Sequence, residues 1–320
     1  MIPYSYCGLP IISNINLPEL DYASLGKQRF SFYLKSPLKQ NAKYLWLHHW
    51  RDPSGEILLS YGKQSHFRWL RFPRLADFCF TVEAQDISCY PAQETSQETI
   101  EHILLDQVLP RCLAYHGRIM LHASAVRLEK GLILFMGDSG AGKSTLAGNF
   151  HQAGNLAVSD DCLWIREGKG QVRAVPTYGG LRLWEDSLQA LFSAGQATTA
   201  MAHYTTKKRV PLDECDRSGE DDLPILAVML VTPADQVSTS EILLERLSKH
   251  EAFIAMLKQT FQLDVTDLKR MTRHAKALGR IVPKVRAYRL SMPREYALLP
   301  KVRERILEEV EILKGQPQSH

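Results

Sequence analysis

Leu132-Ile-Leu-Phe-Met136 running into Gly137-Asp-Ser-Gly-Ala-Gly-Lys-Ser144 is the stretch on which the fold turns. Five apolar residues read as a buried strand, and the eight that follow satisfy the pattern G-x-x-x-x-G-K-[ST], with a helix expected over Lys143 to Gln152. Glycines at these positions let consecutive backbone N–H groups turn inward, and the helix behind adds the positive end of its dipole, so the loop suits a chain of phosphates. The nucleotide contacts expected from it are Gly137, Asp138, Ser139, Gly140, Ala141, Gly142, Lys143, Ser144 and Thr145. Lys143 would reach the β and γ phosphates of ATP, and the Ser144 hydroxyl would coordinate Mg2+. A glycine-rich turn without ligand is the alternative. The strand before and the helix after, which the motif requires, weigh against it.

Downstream, Leu156-Ala-Val-Ser159 is a second apolar strand, and it ends in Asp160-Asp161. A parallel sheet would bring the ends of the two strands to one edge, with the acids near the phosphates. One Asp can then hold the metal while the other accepts a hydrogen bond from an attacking hydroxyl. By itself an Asp-Asp pair after a strand is more often a plain turn; the loop upstream changes that balance.

Working outward, the residues up to about Tyr90 read as short strands, at Tyr44 to His49, Glu56 to Ser60, His66 to Phe72 and Phe78 to Val82, separated by turns such as Asp52-Pro-Ser-Gly55. Thr95 and Glu98 have capping-box spacing, and Ile100, Ile103, Leu104 and Val108 follow at helical intervals before Pro110 and Gly117. From Ile119 strands alternate with helices: strands at Ile119 to Val126, Ile225 to Val231 and Val285 to Leu290, and helices at Lys249 to Gln262, Val265 to Leu278 and Lys301 to Lys314. The class expected is α/β, with a β-rich N-terminal domain over 1–93, a linking helix over 94–116 and a P-loop domain over 117–320. Ser193 to Leu223 is polar and reads as a mobile or substrate-facing segment, and Gly315 to His320 as a polar tail.

Composition narrows the function. With 45% hydrophobic and 23% charged residues the chain reads as a globular protein. A net charge of +4 without basic residues interleaved with aromatics argues against a nucleic-acid partner. The longest apolar run, Ile225 to Val231, is far below the roughly 20 residues of a membrane helix, and no signal segment is evident, so no membrane partner and a cytoplasmic location are expected. Six cysteines without a CxxC pair read as reduced thiols, with no structural metal.

His122-Ala-Ser-Ala-Val126, Gly137 to Ser144 and Ser159-Asp160-Asp161 together resemble the catalytic domain of HPr kinase, the bacterial P-loop enzyme that phosphorylates a serine on a carrier protein. The resemblance covers about Gly117 to Cys162, with weaker likeness at Leu181 to Trp184 and Tyr288 to Arg294, and such sheets look similar to phosphoenolpyruvate carboxykinase. It implies Asp160 as the base that receives the serine proton, Asp161 as its partner at the metal with Ser144, and His122 beside the phosphates. Arg182 falls where the family signature carries its Arg, and would brace the γ phosphate. Members of this type form oligomers, which carries an expectation of a homo-oligomer. Pro176-Thr-Tyr-Gly-Gly-Leu-Arg-Leu-Trp184 stands in place of the Leu-Glu-Ile-Arg-Gly signature and lacks its metal-proximal Glu. The phosphorolytic reverse reaction and HPr as substrate are therefore not expected. The variant looks more like the HPr-kinase-like proteins of peptide natural-product gene clusters, including lasso-peptide tailoring kinases, so the acceptor implied is a serine of a peptide or protein. Two rivals stand beside this: a kinase of a small molecule such as an amino acid or sugar, and an ATP-sensing interaction protein without chemistry.

Other residues carry weaker signals. Lys207-Lys-Arg209 suits phosphate contact, an acidic peptide or simply a solvated face. His48 and His49 would point to opposite faces of a strand and read as structural. Trp46, Trp69 and Trp184 read as core or interface aromatics.

Overall fold

A computed structural model describes residues 1–24, 30–37, 44–81, 85–193, 196–202, 205–211, 222–232 and 241–312. The N-terminal part is an eight-stranded sheet: β1 (Ile2–Tyr6), β2 (Leu9–Ser13), β3 (Phe30–Leu34), β4 (Leu45–Arg51), β5 (Ile57–Gln64), β6 (Phe67–Phe72), β7 (Ala76–Thr81) and β8 (Asp86–Pro91). Their order is β1-β2-β3-β8-β7-β6-β5-β4, antiparallel except at β2/β3 and β3/β8. The expected strands are present over 44–81, with Val82 outside the described residues, while β1, β2, β3 and β8 go beyond them.

The link is two helices joined by a wide turn: α1 (Gln97–Ile103), a π turn at Leu104–Val108, and α2 (Leu109–Tyr115). Ser96, and not Thr95, caps α1, its side chain accepting the Thr99 N–H. The π turn sets Pro110 near the start of α2, where its missing N–H leaves no intrahelical bond unmade.

The second sheet holds β9 (Ile119–Leu121), β10 (Ser124–Leu128), β11 (Gly131–Met136), α3 (Lys143–Gln152) leading from it, β12 (Leu156–Ser159), β13 (Leu163–Gly168) and β14 (Gln171–Pro176). After β15 (Leu181–Leu183), α4 (Glu185–Leu191), β16 (Thr199–Ala200) and β17 (Lys208–Val210), which form a small sheet of their own strands, come β18 (Leu223–Val231), β19 (Leu243–Arg246), α5 (Lys249–Lys258), α6 (Leu268–Ile281), β20 (Ala287–Ser291) and α7 (Leu299–Ile312). The order β12-β10-β11-β18 continues to β14-β13-β9, with β20 also on β18. All six residues of β11 are buried because both its faces are covered. Ile133 and Phe135 pack with Leu146 and Phe150 of α3 and Ile306 of α7, whereas Leu134 and Met136 pack with Met256 of α5 and Leu278 of α6.

Two expectations need correction. The sheet is mixed, since β10 runs antiparallel to both β11 and β12, and the segment read as one strand over Ile119 to Val126 breaks at His122-Ala123 into β9 and β10. The polar segment Ser193 to Leu223 falls partly outside the described residues (194–195, 203–204 and 212–221), as do the tail and Cys215. The other cysteines are free and buried. Among the described residues no helix is long and apolar enough to cross a membrane.

One hydrophobic cluster joins the two sheets. Tyr6, Phe32, Tyr61 and Phe78 of the first pack with Ile103 and Leu109 of the linking helices and with Met120, Cys162, Val175 and Phe261 of the second part.

Candidate functional site

Because β10 opposes both β11 and β12, those two run the same way, and β18 and β20 run parallel to β11. Their C-terminal ends therefore share one edge of the sheet, and the loops leaving them meet there. A cleft at this edge is walled by Ser139 to Thr145 after β11, Asp161 after β12, Thr232 after β18 and Met292 to Tyr296 after β20. His122, from the break between β9 and β10, Arg182 of β15 and Lys207 before β17 complete it.

The glycine-rich loop has the geometry its sequence requires. Gly137 sits at φ +147°, where a Cβ would come 2.6 Å from the Val231 carbonyl oxygen, and Gly142 caps α3 at φ +100°. Lys143 is buried, and its Nζ donates to the carbonyls of Gly137 at 2.9 Å and Asp138 at 3.1 Å. Burial lowers its pKa, against which the charges of Asp161 and Asp160 act. Thr145 Oγ1 lies 3.0 Å from Ser187 Oγ, which lies 3.1 Å from the Tyr296 hydroxyl, so the first turn of α3 is tied to the β20 loop. Gly137 and Asp138 line a neighbouring cavity against α5 and not the cleft itself.

The two acids are placed differently from one another, and this revises the expectation that Asp160 faces the acceptor. Asp160 is buried and its oxygens are engaged: Oδ1 accepts from Ser124 Oγ at 2.6 Å and Oδ2 from the Arg182 N–H at 2.7 Å. Burial and the neighbouring Asp161 charge raise its pKa. Asp161 is the acid on the cleft wall, with Oδ2 2.8 Å from Arg182 Nη1. Burial alone would raise Asp161, but neighbouring cations, Arg182 foremost, outweigh it and hold the carboxyl below its usual range. His122 is held below its ordinary value by burial and by Lys143, so the ring is neutral at pH 7.

Arg182 does more than the sequence suggested and something other than expected. Its side chain is 2% exposed and is spent within the protein. Nη2 donates to Tyr178 at 2.7 Å and to Glu19 at 3.0 Å, and Nε lies 3.4 Å from Asp106. Burial works against its charge, but Asp106, Glu19, Asp161 and Asp160 together push the pKa up. Arg209 pairs with the same Glu19, and His102 Nδ1 lies 2.5 Å from Asp106. A guanidinium held this way fixes Asp161 more directly than it could reach a phosphate.

Of the basic cluster at 207–209, Lys207 reaches the cleft and Arg209 turns inward to Glu19. Trp184 is not a core aromatic: it is 42% exposed, lies on the cleft wall and carries Lys207 Nζ 5.3 Å from its ring centroid. His49 bonds Ser60 Oγ at 2.7 Å, as a structural histidine would. Met292 lies in the stretch Tyr288 to Arg294 that carries the weaker likeness, whereas Thr232, Ser187 and Tyr296 had no local motif to reveal them, and only the sheet order brings them in.

Among the described residues no group of three or more His, Cys, Asp or Glu could hold a metal. One hydroxyl and one carboxylate, Ser144 and Asp161, on a cleft that suits phosphate do fit Mg2+, which keeps water and phosphate oxygens as its other ligands.

No family model matches the chain, and no curated protein does. Among solved structures, the Hpr(Ser) kinase/phosphatase from Coxiella burnetii is similar over 61% of this chain and 94% of that one, at 10% sequence identity and a TM-score of 0.32. At that level of similarity the reading of the site rests on this chain's own residues.

Proposed function

We propose that the chain is an ATP-dependent phosphotransferase of the HPr kinase-like type that transfers the γ-phosphoryl group to a serine hydroxyl of a peptide or protein. The observation that carries this is a single cleft in which the loop residues Ser139 to Thr145 meet Asp161, His122 and Lys207 from other elements. Backbone N–H groups of the loop and Lys143 would hold the phosphates, while Ser144 and Asp161 would hold Mg2+, which offsets the charge on the phosphate oxygens. A loose transition state asks the protein mainly to position the nucleophile and stabilise charge. Asp161, ionised and fixed by Arg182, is suited to accept the hydrogen bond of the incoming hydroxyl. Asp160 holds the Ser124 hydroxyl and the Arg182 backbone and so positions that wall of the cleft. His122, neutral, can donate to a phosphate oxygen or accept from the hydroxyl without adding charge.

The test is incubation of the pure protein with Mg2+ and ATP labelled at the γ position, with serine-containing peptides, free amino acids and sugars as acceptors. Label on serine of a peptide supports the reading. Label only on a free metabolite moves the substrate class, and ATP binding with no transfer to any hydroxyl ends the kinase reading.

A further inference from the structure

Helix α6, on the covered face of the second sheet, contains Lys269, Arg270, Arg273, Lys276 and Arg280 and no acidic residue. The chain's net charge is +4, so outside this helix the protein is slightly acidic. Lys269, Arg273, Lys276 and Arg280 follow at intervals of four, three and four, which places them within one narrow arc about 16 Å long. All four are exposed, while His274, Leu278 and Ile281 on the opposite side are buried. Among the described residues no carboxylate pairs with these four; Arg270, off the arc, pairs with Asp267 at 3.2 Å.

This arrangement works against the helix itself. Like charges three and four residues apart repel, and cations in the first turn oppose the helix dipole. At that end the one acid is the N-cap Asp267, which accepts the Lys269 and Arg270 N–H groups and pairs with Arg270, and the rest of the stripe has no such offset among the described residues. Packing of the buried face does not require the stripe, and among the described residues nothing compensates its four cations.

A cavity of about 400 Å³ flanks the stripe, walled by Arg270, Arg273 and His274 of α6 and by Tyr115, His116 and Leu263 opposite. Its carboxylate, Asp264, is already held by Lys63 at 2.7 Å. The cavity is connected to the cleft by a short path: His274 Nε2 lies 3.1 Å from Thr260 Oγ1, and the neighbouring Gln259 carbonyl accepts the His122 N–H at 2.7 Å.

We propose that the basic stripe of α6 and the cavity beside it dock an acidic polypeptide segment, and, resting on the kinase reading, that this segment belongs to the phosphoryl acceptor. The apolar side of α6 is committed to the core and only Leu268, at its start, is exposed, which is too little apolar surface to insert into a membrane. The stripe also lacks interleaved aromatic residues on which nucleotide bases could stack. An extended chain with acids at every second residue presents them about 6.8 Å apart on one face, a spacing the long lysine and arginine side chains can follow.

The probe is a fluorescein-labelled peptide of alternating glutamate and serine, with alternating glutamine and serine as its control, read by anisotropy on the full chain. The glutamate peptide is expected to bind and the glutamine peptide not. The double variant Arg273→Glu/Lys276→Glu should weaken binding at least tenfold while ATP affinity stays unchanged, which shows that the fold is intact. Variant binding within twofold of the parent overturns the proposal, as does displacement of the peptide by oligo(dT) or phosphatidylserine vesicles at lower charge concentration. Transfer from labelled ATP is scored separately. Equal KM for the glutamate and glutamine peptides ends the docking proposal and leaves the kinase reading standing. Variant-sensitive binding without any transfer ends the kinase reading and leaves the docking surface standing.

Discussion

Neighbouring residues of the same type can be given opposite tasks by what surrounds them, and Asp160 and Asp161 are the case in point. Asp160 is enclosed, with a hydroxyl and a backbone N–H on its two oxygens. Asp161 stands on the cleft wall, ionised because neighbouring cations, Arg182 foremost, outweigh the effect of burial. Asp161→Asn should therefore cost about 10²–10⁴-fold in kcat, the usual size of a positioned acid–base contribution, with affinity for metal-free ATP largely kept. Asp160→Asn keeps the shape but swaps an acceptor for a donor opposite the Arg182 N–H, so its cost should fall on thermal stability as much as on rate. Steady-state kinetics and melting of the two variants decide between the roles; a larger kcat loss in Asp160→Asn with unchanged stability would return the base role to Asp160. The sequence could expose the pair, but not which member turns inward, because that depends on Ser124 and Arg182, distant in the chain and adjacent only after folding.

At the scale of elements, the strand-loop-helix unit was the most legible part of the chain. Helix α3 and strand β12 span the residues that periodicity and motif assign to them. Local chemistry is sufficient there: an all-apolar strand, glycines at φ values closed to other residues, and a helix that buries Leu146, Ala147 and Phe150. Gly137 shows how tight the requirement is. Gly137→Ala places a methyl 2.6 Å from the Val231 carbonyl oxygen, a backbone atom that cannot swing away. The loop should shift and ATP affinity should fall at least tenfold, measured by titration calorimetry, whereas Gly154→Ala, which meets nothing within 4 Å, should leave ATP affinity unchanged. Hairpins were harder to see. β1 and β2 are joined by Cys7-Gly8 at φ 44° and 73°, β5 and β6 through Ser65 at φ 55°, and β13 and β14 by Lys169-Gly170 at φ 52° and 77°. Two of these are two-residue turns with both residues left-handed, the form that Asn-Gly or Asp-Gly usually announces. Cys-Gly and Lys-Gly give no such signal, so β1, β2, β13 and β14 passed unread. β13 and β14 are further disguised by Arg166, Glu167 and Arg173, which make a strand look polar although Arg166 and Arg173 are both tied to Asp222.

For the whole molecule, the question is what holds the N-terminal sheet against the half that contains the cleft, and the answer includes a buried ionic cluster as well as the shared apolar core. Glu19 comes from the loop after β2 and pairs with both Arg182 and Arg209, while Asp106 of the linking segment pairs with Arg182. Removing one partner of such a cluster leaves a buried charge uncompensated, so Glu19→Gln should destabilise by about 3–5 kcal/mol and disturb Asp161 through Arg182. Glu101 is the opposite case. It is buried, its Oε1 has no hydrogen-bond partner among the described residues, and burial followed by the Glu19 charge raises its pKa from 4.5 to about 7. Below pH 4.5 the carboxyl is protonated in both folded and unfolded chains, and the stability it allows is fully present. Between 4.5 and about 7 the folded state keeps a proton that the unfolded chain has given up, so stability falls as pH rises and the loss is complete above that range. The shift corresponds to about 3 kcal/mol at most. Glu101→Gln removes the titration and keeps an acceptor for the Glu19 N–H, so it should match the parent near pH 4.5 and exceed it by up to about 3 kcal/mol at pH 8.5. Urea unfolding at the two pH values measures this directly. A stability difference that is the same at both would mean that Glu101 titrates alike in the folded and unfolded chains, and that the cations of the cluster offset its burial at the seam between the two halves.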